Sequence, residues 1–149
     1  MFPYSLKSNE YRNLRKWVLQ FCYQQEINQD FNYTEKTIQQ FIRNFNIDKS
    51  YEEDFKNFVS VVFKYKTKSD TLVEKFTKNW KISRIAKVDL VLLRVAIAEF
   101  MEKTDSDAAA IISETLTLSE EFSSENSFAF LNGILDSVLK EIKKTSNKE

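Results

Sequence analysis

The 149-residue sequence is poor in the residues that form turns, disulfides and catalytic centres. It contains no histidine and one residue each of cysteine, glycine and proline. A single cysteine excludes an internal disulfide framework and a zinc site built from several cysteines. One glycine and one proline are too few for a β-sandwich, a β-barrel or a glycine-rich nucleotide-binding fold. These absences favour helices joined by short polar loops.

The same absences argue against an enzyme. The sequence has no glycine-rich phosphate loop and no nucleophile beside an evident base, so we expect no catalysis, cofactor or metal. Met1 to Tyr4 contain no apolar signal core, so no secretion or anchoring segment and no membrane association are expected. With a single cysteine, a reducing cytoplasm is the expected location.

Positive and negative residues balance, with 22 of each, so the formal net charge is zero. A molecule without bulk charge attracts a polyanion only through a local basic patch. Hydrophobic residues make up 42% and charged residues 30% of the chain, which indicates a globular protein rather than a disordered one. The length is that of a single domain.

The most apolar stretch runs from Ile85 to Phe100, and between Val88 and Ala98 only Asp89 and Arg94 are charged. Wound as a helix, this stretch points apolar side chains in every direction, which is typical of a helix surrounded by others. It is shorter than the ~20 residues needed to cross a bilayer. We therefore predict the buried central helix of an all-α domain, in which Asp89 and Arg94 require partners.

An opening helix is predicted from Ser8 to Gln25. Its apolar stripe consists of Leu14, Trp17, Val18, Phe21 and Cys22, so the cysteine is expected to be a small buried hydrophobe. The opposite side carries Arg12, Lys16, Gln20 and Tyr23, with Arg15 at its edge. This side is either an ordinary solvated face or a small basic face with an aromatic ring, suited to phosphate contact and base stacking.

The remaining pattern predicts about seven helices in two small packed bundles around the central helix. We expect one domain over residues 1–149, with helical subdomains at about 8–66 and 69–143, a break near 66–70 and a frayed tail at 144–149. Gly133 lies inside the pattern of the last helix, where glycine costs about 1 kcal/mol relative to alanine. Either a tight helix crossing requires it, or it belongs with Asn132 and Asp136 to a polar cluster beside a binding surface.

Three segments of the second half form a recognisable series. They contain Val88-Asp89, Leu93-Arg94 and Glu99-Phe100, then Ile112-Ser113-Glu114, then FLNGILD from Phe130 to Asp136. In this order they resemble the bacterial transcription antitermination family NusB, whose last motif is close to FVNGVLD. More loosely, Arg12-Asn-Leu-Arg15 and Gln20-Phe-Cys-Tyr23 resemble the arginine-rich opening and the Gln-x-Leu-Tyr of that family.

The resemblance implies an all-α NusB-type fold and a non-catalytic antitermination factor. Such a factor binds boxA-like single-stranded ribosomal RNA together with NusE, a small-subunit ribosomal protein, within the antitermination complex of RNA polymerase. The RNA-contacting residues are then expected to be Arg12, Arg15, Lys16, Gln20, Tyr23, Asn132 and Asp136. The opening and closing helices should adjoin, and Asp89 should face the protein partner. The alternative is a NusB-shaped interaction module with weak or no RNA binding.

Overall fold

A computed structural model describes residues 8–78, 81–102 and 107–146. This part of the chain contains seven α-helices and no strand, which confirms the all-α class. The helices are α1 (Ser8–Asn28), α2 (Glu35–Asn44), α3 (Glu52–Lys64), α4 (Lys66–Phe76), α5 (Lys87–Glu102), α6 (Ala108–Phe122) and α7 (Ser127–Ser146). Short 3-10 turns at Lys49–Tyr51 and Ile82–Arg84 precede α3 and α5. None of the described helices has the length and hydropathy needed to span a membrane.

The helix α5 is the centre of the molecule. Every residue from Asp89 to Phe100 is buried, because α1, α3, α4, α6 and α7 all pack against it. Around α5 the neighbours follow the order α1, α3, α4, α7 and α6, and ion pairs between α6 and α1 close the ring. The prediction of a buried central helix is confirmed.

Polar contacts fix the directions of these helices. Glu99, near the end of α5, meets Tyr11 and Arg15 near the start of α1, so α1 and α5 run in opposite directions. At the other end, Asp89 in the first turn of α5 meets Ser123 after α6 and Ser127 at the start of α7. The start of α5, the end of α6 and the start of α7 therefore lie at one end of the bundle.

The first half of the chain adds an aromatic core. The ring of Phe21 on α1 makes edge-to-face contacts with Tyr33, Phe41 and Phe55, at centroid distances of 5.3, 5.3 and 5.9 Å. Phe41 of α2 also stacks on Phe55 of α3. Such pairs stabilise beyond the area that they bury, and they hold α2 across α1 and α3. Cys22 is buried beside this core, and burial raises the pKa of its thiol to about 12.

The predicted break at residues 66–70 is wrong, since the chain turns at Tyr65 and α4 begins at Lys66. The polar run is helical because it buries Ser69 completely against the bundle and sets Lys66 and Asp70 one turn apart. The last helix extends through Ser146, beyond the start of the expected frayed tail, with Thr145 donating to the carbonyl of Glu141. Residue 80, the segment 103–106 and residues 147–149 lie outside the described part.

Gly133 is exposed, and a Cβ built on it would meet no atom within 4 Å. Of the two alternatives for this glycine, the tight helix crossing is therefore wrong, because no other backbone approaches this position. The glycine lies on the outer side of α7, where its cost in helix propensity is not offset by packing.

Replacing Gly133 with alanine is expected to stabilise the protein by about 0.5–1 kcal/mol, because alanine loses less backbone entropy in a helix. Urea denaturation followed by circular dichroism gives the free energy of unfolding. The reverse change at an exposed position of the same helix, Ala129→Gly, should destabilise it. A loss of stability in Gly133→Ala would contradict the open environment of this residue.

Candidate nucleic-acid interface

Arg12 lies on the outer face of α1 but is already paired. Its Nε and Nη2 donate to the two carboxylate oxygens of Glu114 on α6, at 2.8 and 2.9 Å. The hydrogen bond from Arg12 lowers the pKa of Glu114 below its ordinary value, so both groups are ionised at neutral pH. About half of the Arg12 side chain is exposed, and an ion pair in this setting contributes little to stability.

Lys16, one turn further along α1, is paired in the same way. Its Nζ lies 2.6 Å from Oε1 of Glu121 and 5.6 Å from the ring centroid of Phe122, the last residue of α6. The two ion pairs place α1 alongside α6, and the two helices run in the same direction. The acidic side chains of α6 therefore neutralise the two predicted cations of this face.

Gln20 and Tyr23 follow Lys16 by one and two turns, so they lie beyond the end of α6. Tyr23 is 38% exposed, and Ile27, one turn later, is 46% exposed. Among the described residues, neither Gln20 nor Tyr23 has a side-chain hydrogen bond. Their amide and phenol groups are thus available to a ligand, and their contact with RNA stays a prediction.

The expectation that Arg15 contacts RNA is wrong, since only 3% of the residue is exposed. Its Nε and Nη2 donate to the two oxygens of Glu99 at 2.7 Å each, and the hydroxyl of Tyr11 donates to the same carboxylate at 2.9 Å. Glu99 is fully buried on α5 and requires a cation. A carboxylate within an apolar helix indicates that a cation is buried beside it, but the sequence does not show that this cation is Arg15.

Asp89 is also internal. Only 7% of it is exposed, and its two carboxylate oxygens accept hydrogen bonds from Ser123 and from Ser127, the latter at 2.9 Å. The residue joins the start of α5 to the connection between α6 and α7. Its expected role as a surface that faces a protein partner is therefore wrong, because its acceptors are used within the chain.

Asn132 and Asp136 are exposed on α7, and Asp136 pairs with Lys140 at 3.0 Å. Glu141 of the same helix pairs with Lys75 of α4, which places α4 on the opposite flank of α7. Asn132 and Asp136 thus lie on the flank toward α6. They do not adjoin the basic side of α1 as expected, because α6 lies between the two helices.

The end of α1 and the start of α7 lie at the same end of the bundle, where α6 stops. Gln20 and Tyr23 project past that point, and α7 begins after a connection of four residues. Phe128, in the first turn of α7, is 46% exposed and lies on the same flank as Asn132. We call Gln20, Tyr23, Phe128 and Asn132 the aromatic platform. Phe128 was missed, although an exposed aromatic residue at a helix start was visible in the sequence.

The model of the NusB family matches residues 12–140 of the chain. The transcription antitermination protein NusB of Acetivibrio thermocellus is 36% identical over 129 residues, which cover 87% of this chain and 88% of the relative. The protein of the same name from Finegoldia magna is 35% identical over 129 residues, covering 87% and 93%.

Solved structures agree with this match. NusB of T. maritima superposes with a TM-score of 0.78 and 27% identity, covering 87% of this chain and 90% of that one. NusB in a crystal structure of the antitermination factors NusB and NusE in complex with double-stranded RNA superposes with a TM-score of 0.78. At 18% identity, over 91% of this chain and 99% of that one, this second likeness shows the fold alone.

Truncation of two arginines on α1 should affect the stability of the protein very differently. Arg15→Ala is expected to destabilise the protein by about 3–5 kcal/mol, because it leaves the buried carboxylate of Glu99 without a cation. Arg12→Ala, the matched control on the same helix, should leave the melting temperature nearly unchanged. Thermal and urea unfolding measure both variants, and equal stabilities would contradict the buried ion pair.

Proposed function

The chain belongs to the NusB family, and from this membership we propose a transcription antitermination factor that binds boxA-like single-stranded RNA together with the ribosomal protein NusE. It acts without catalysis, in the cytoplasm, as part of the antitermination complex of RNA polymerase. The relatives named as antitermination proteins support this function, since the chain spans about nine-tenths of their length.

The observation that supports RNA binding most directly is the aromatic platform. Tyr23 and Phe128 expose rings near the end of α6, and Gln20 and Asn132 offer amide groups beside them. Proteins recognise single-stranded RNA by stacking unpaired bases on such rings and by hydrogen-bonding the base edges. This combination suits unpaired nucleotides better than a duplex, whose bases are already stacked.

The charge on this side predicts weak binding by the protein alone. A phosphate at Arg12 or Lys16 must compete with the carboxylate of Glu114 or Glu121. With two phosphate contacts, the logarithm of the RNA association constant would fall by only about 1.4 for each tenfold rise in salt concentration. RNA affinity should therefore be low until NusE binds the same RNA, since linked contacts raise the effective concentration of each site.

A second function, a protein-interaction module with little RNA binding, is favoured by the same ion pairs. Arg12 and Lys16 have partners before any ligand arrives, and Tyr23 with Ile27 forms an exposed apolar pair that a protein surface can cover. The two functions differ in whether the rings of the platform contact RNA.

Tyr23→Ala should lower the affinity for boxA-like RNA in the presence of NusE by about 1–3 kcal/mol, the usual contribution of one stacked base. Fluorescence anisotropy with labelled RNA, with and without NusE, measures the change. Phe45→Ala is the matched control, because Phe45 is also 38% exposed but lies at the end of α2. If NusE binds normally and RNA affinity is equal in wild type and Tyr23→Ala, the interaction module is the correct function.

Neutralising the acids of α6 should strengthen RNA binding. In Glu114→Gln/Glu121→Gln, Arg12 and Lys16 lose their carboxylate partners, so the affinity for RNA should rise. Its salt dependence should also become steeper, with the log–log slope changing by up to about 1.4. Salt titrations of the anisotropy signal test this.

The matched control for this double variant is Glu35→Gln/Glu141→Gln. It removes the same charge and releases Lys56 and Lys75, which lie on α3 and α4. An equal gain in both double variants would show a bulk-charge effect and would contradict a role for Arg12 and Lys16 at the RNA.

A further inference from the structure

A groove of about 530 Å³ lies between the end of α1, the helix α4 and the 3-10 turn that leads into α5. Its volume is in the range of sites that enclose small ligands, about 300–1,000 Å³. Phe31 and Lys66 form one wall, with the ammonium group of Lys66 lying 4.2 Å from the ring centroid of Phe31. Lys81, Ser83 and Lys87 form the opposite rim.

Three acidic side chains line this groove: Glu26 and Asp70 are bonded by one arginine, and Glu74 is exposed. Arg94 donates from Nε and Nη2 to the two oxygens of Asp70 at 2.7 and 2.9 Å, and from Nη1 to Glu26. The three residues form a buried ion-pair network that joins α5 to α4 and α1. Arg94 offsets one of the two negative charges of Asp70 and Glu26, so the lining as a whole carries four positive and three negative side chains.

The lysines on the rim differ from the cations of α1. Lys81 and Lys87 are exposed, and neither makes an ion pair with any residue that the structure describes. Lys66 is only 3.9 Å from Asp70, which is itself occupied by Arg94. The lining of the groove thus has a net charge of one positive, with Lys81 and Lys87 unpaired among the described residues, whereas Arg12 and Lys16 are each matched by a carboxylate.

The groove also continues the aromatic platform. Glu26 and Gln29, which line it, follow Tyr23 on α1 by three and six residues, so the groove opens within two turns of that ring. A strand that stacks a base on Tyr23 can therefore continue into the groove that Lys87 and Lys81 line. Phe31 then offers a second ring at the far wall.

We propose that this groove is a second RNA subsite, in which Lys81 and Lys87 bind backbone phosphates of the nucleotides beyond Tyr23 and Phe31 stacks on a base. The proposal rests on the proposed function, because it extends the path of the same single strand. Free lysines beside an aromatic wall favour a flexible polyanion with bases over a protein surface.

The test uses the full chain and two single-stranded RNAs that share the same core, of about six and about twelve nucleotides, lengths within the range of single-strand sites. The wild type should bind the longer RNA more tightly and with a steeper salt dependence. Lys81→Gln/Lys87→Gln should lower the log–log slope for the longer RNA by about 1.4, with an affinity loss on the order of tenfold, and leave the short RNA unaffected.

Lys36→Gln/Lys49→Gln is the matched control. It removes the same charge from two exposed lysines, one on α2 and one in the 3-10 turn that precedes α3. Equal slopes for the groove variant and this control would overturn the subsite. A groove variant that binds RNA normally but loses NusE would assign the groove to the protein partner and also overturn it. If the short RNA still depends on Tyr23 in either case, the proposed function stands without the subsite.

Discussion

The structure depends on pairing the charged residues of a helix that has no solvent-exposed side. Because five helices surround α5, Arg94 and Glu99 must find partners on their neighbours. Glu99 is bonded by Arg15 of α1, and Arg94 is bonded by Glu26 of the same helix and Asp70 of α4. Two ion pairs separated along α1 fix both its position and its rotation against α5, since removing either partner would leave a buried charge.

This constraint determines which face of α1 is exposed. With Arg15 and Glu26 held inward, Arg12 and Lys16 lie beside α6, and Gln20 and Tyr23 emerge where α6 ends. The exposed ring of Tyr23 is thus a consequence of the buried network and not of local sequence alone. Asp89 has a similar effect on α7. Its hydrogen bonds from Ser123 and Ser127 set where α7 begins relative to α5.

The difference between what the sequence predicted and what it did not follows from these pairings. The central helix could be predicted, because a run of apolar residues is a local signal. The direction of Arg15 could not, since a helical wheel places it at the edge of a face and only Glu99, 84 residues away, decides which way it turns. The surroundings of Gly133 could not be predicted either. Its cost in helix propensity is a local property, whereas the approach of another helix depends on the tertiary structure.

The distribution of partners also separates two kinds of positive charge on a neutral molecule. Arg12 and Lys16 are on the side where the family resemblance predicted RNA, yet each is matched by an acid of α6, with which any other anion must compete. Among the described residues, Lys81 and Lys87 near the start of α5 have no carboxylate partner, and Asp70 and Glu26 in the same groove are both bonded by Arg94. This buried arginine offsets one of the two negative charges, and with the exposed Glu74 the groove keeps a net charge of one positive. The network that holds α1 and α4 against α5 thus also sets the charge balance of the groove.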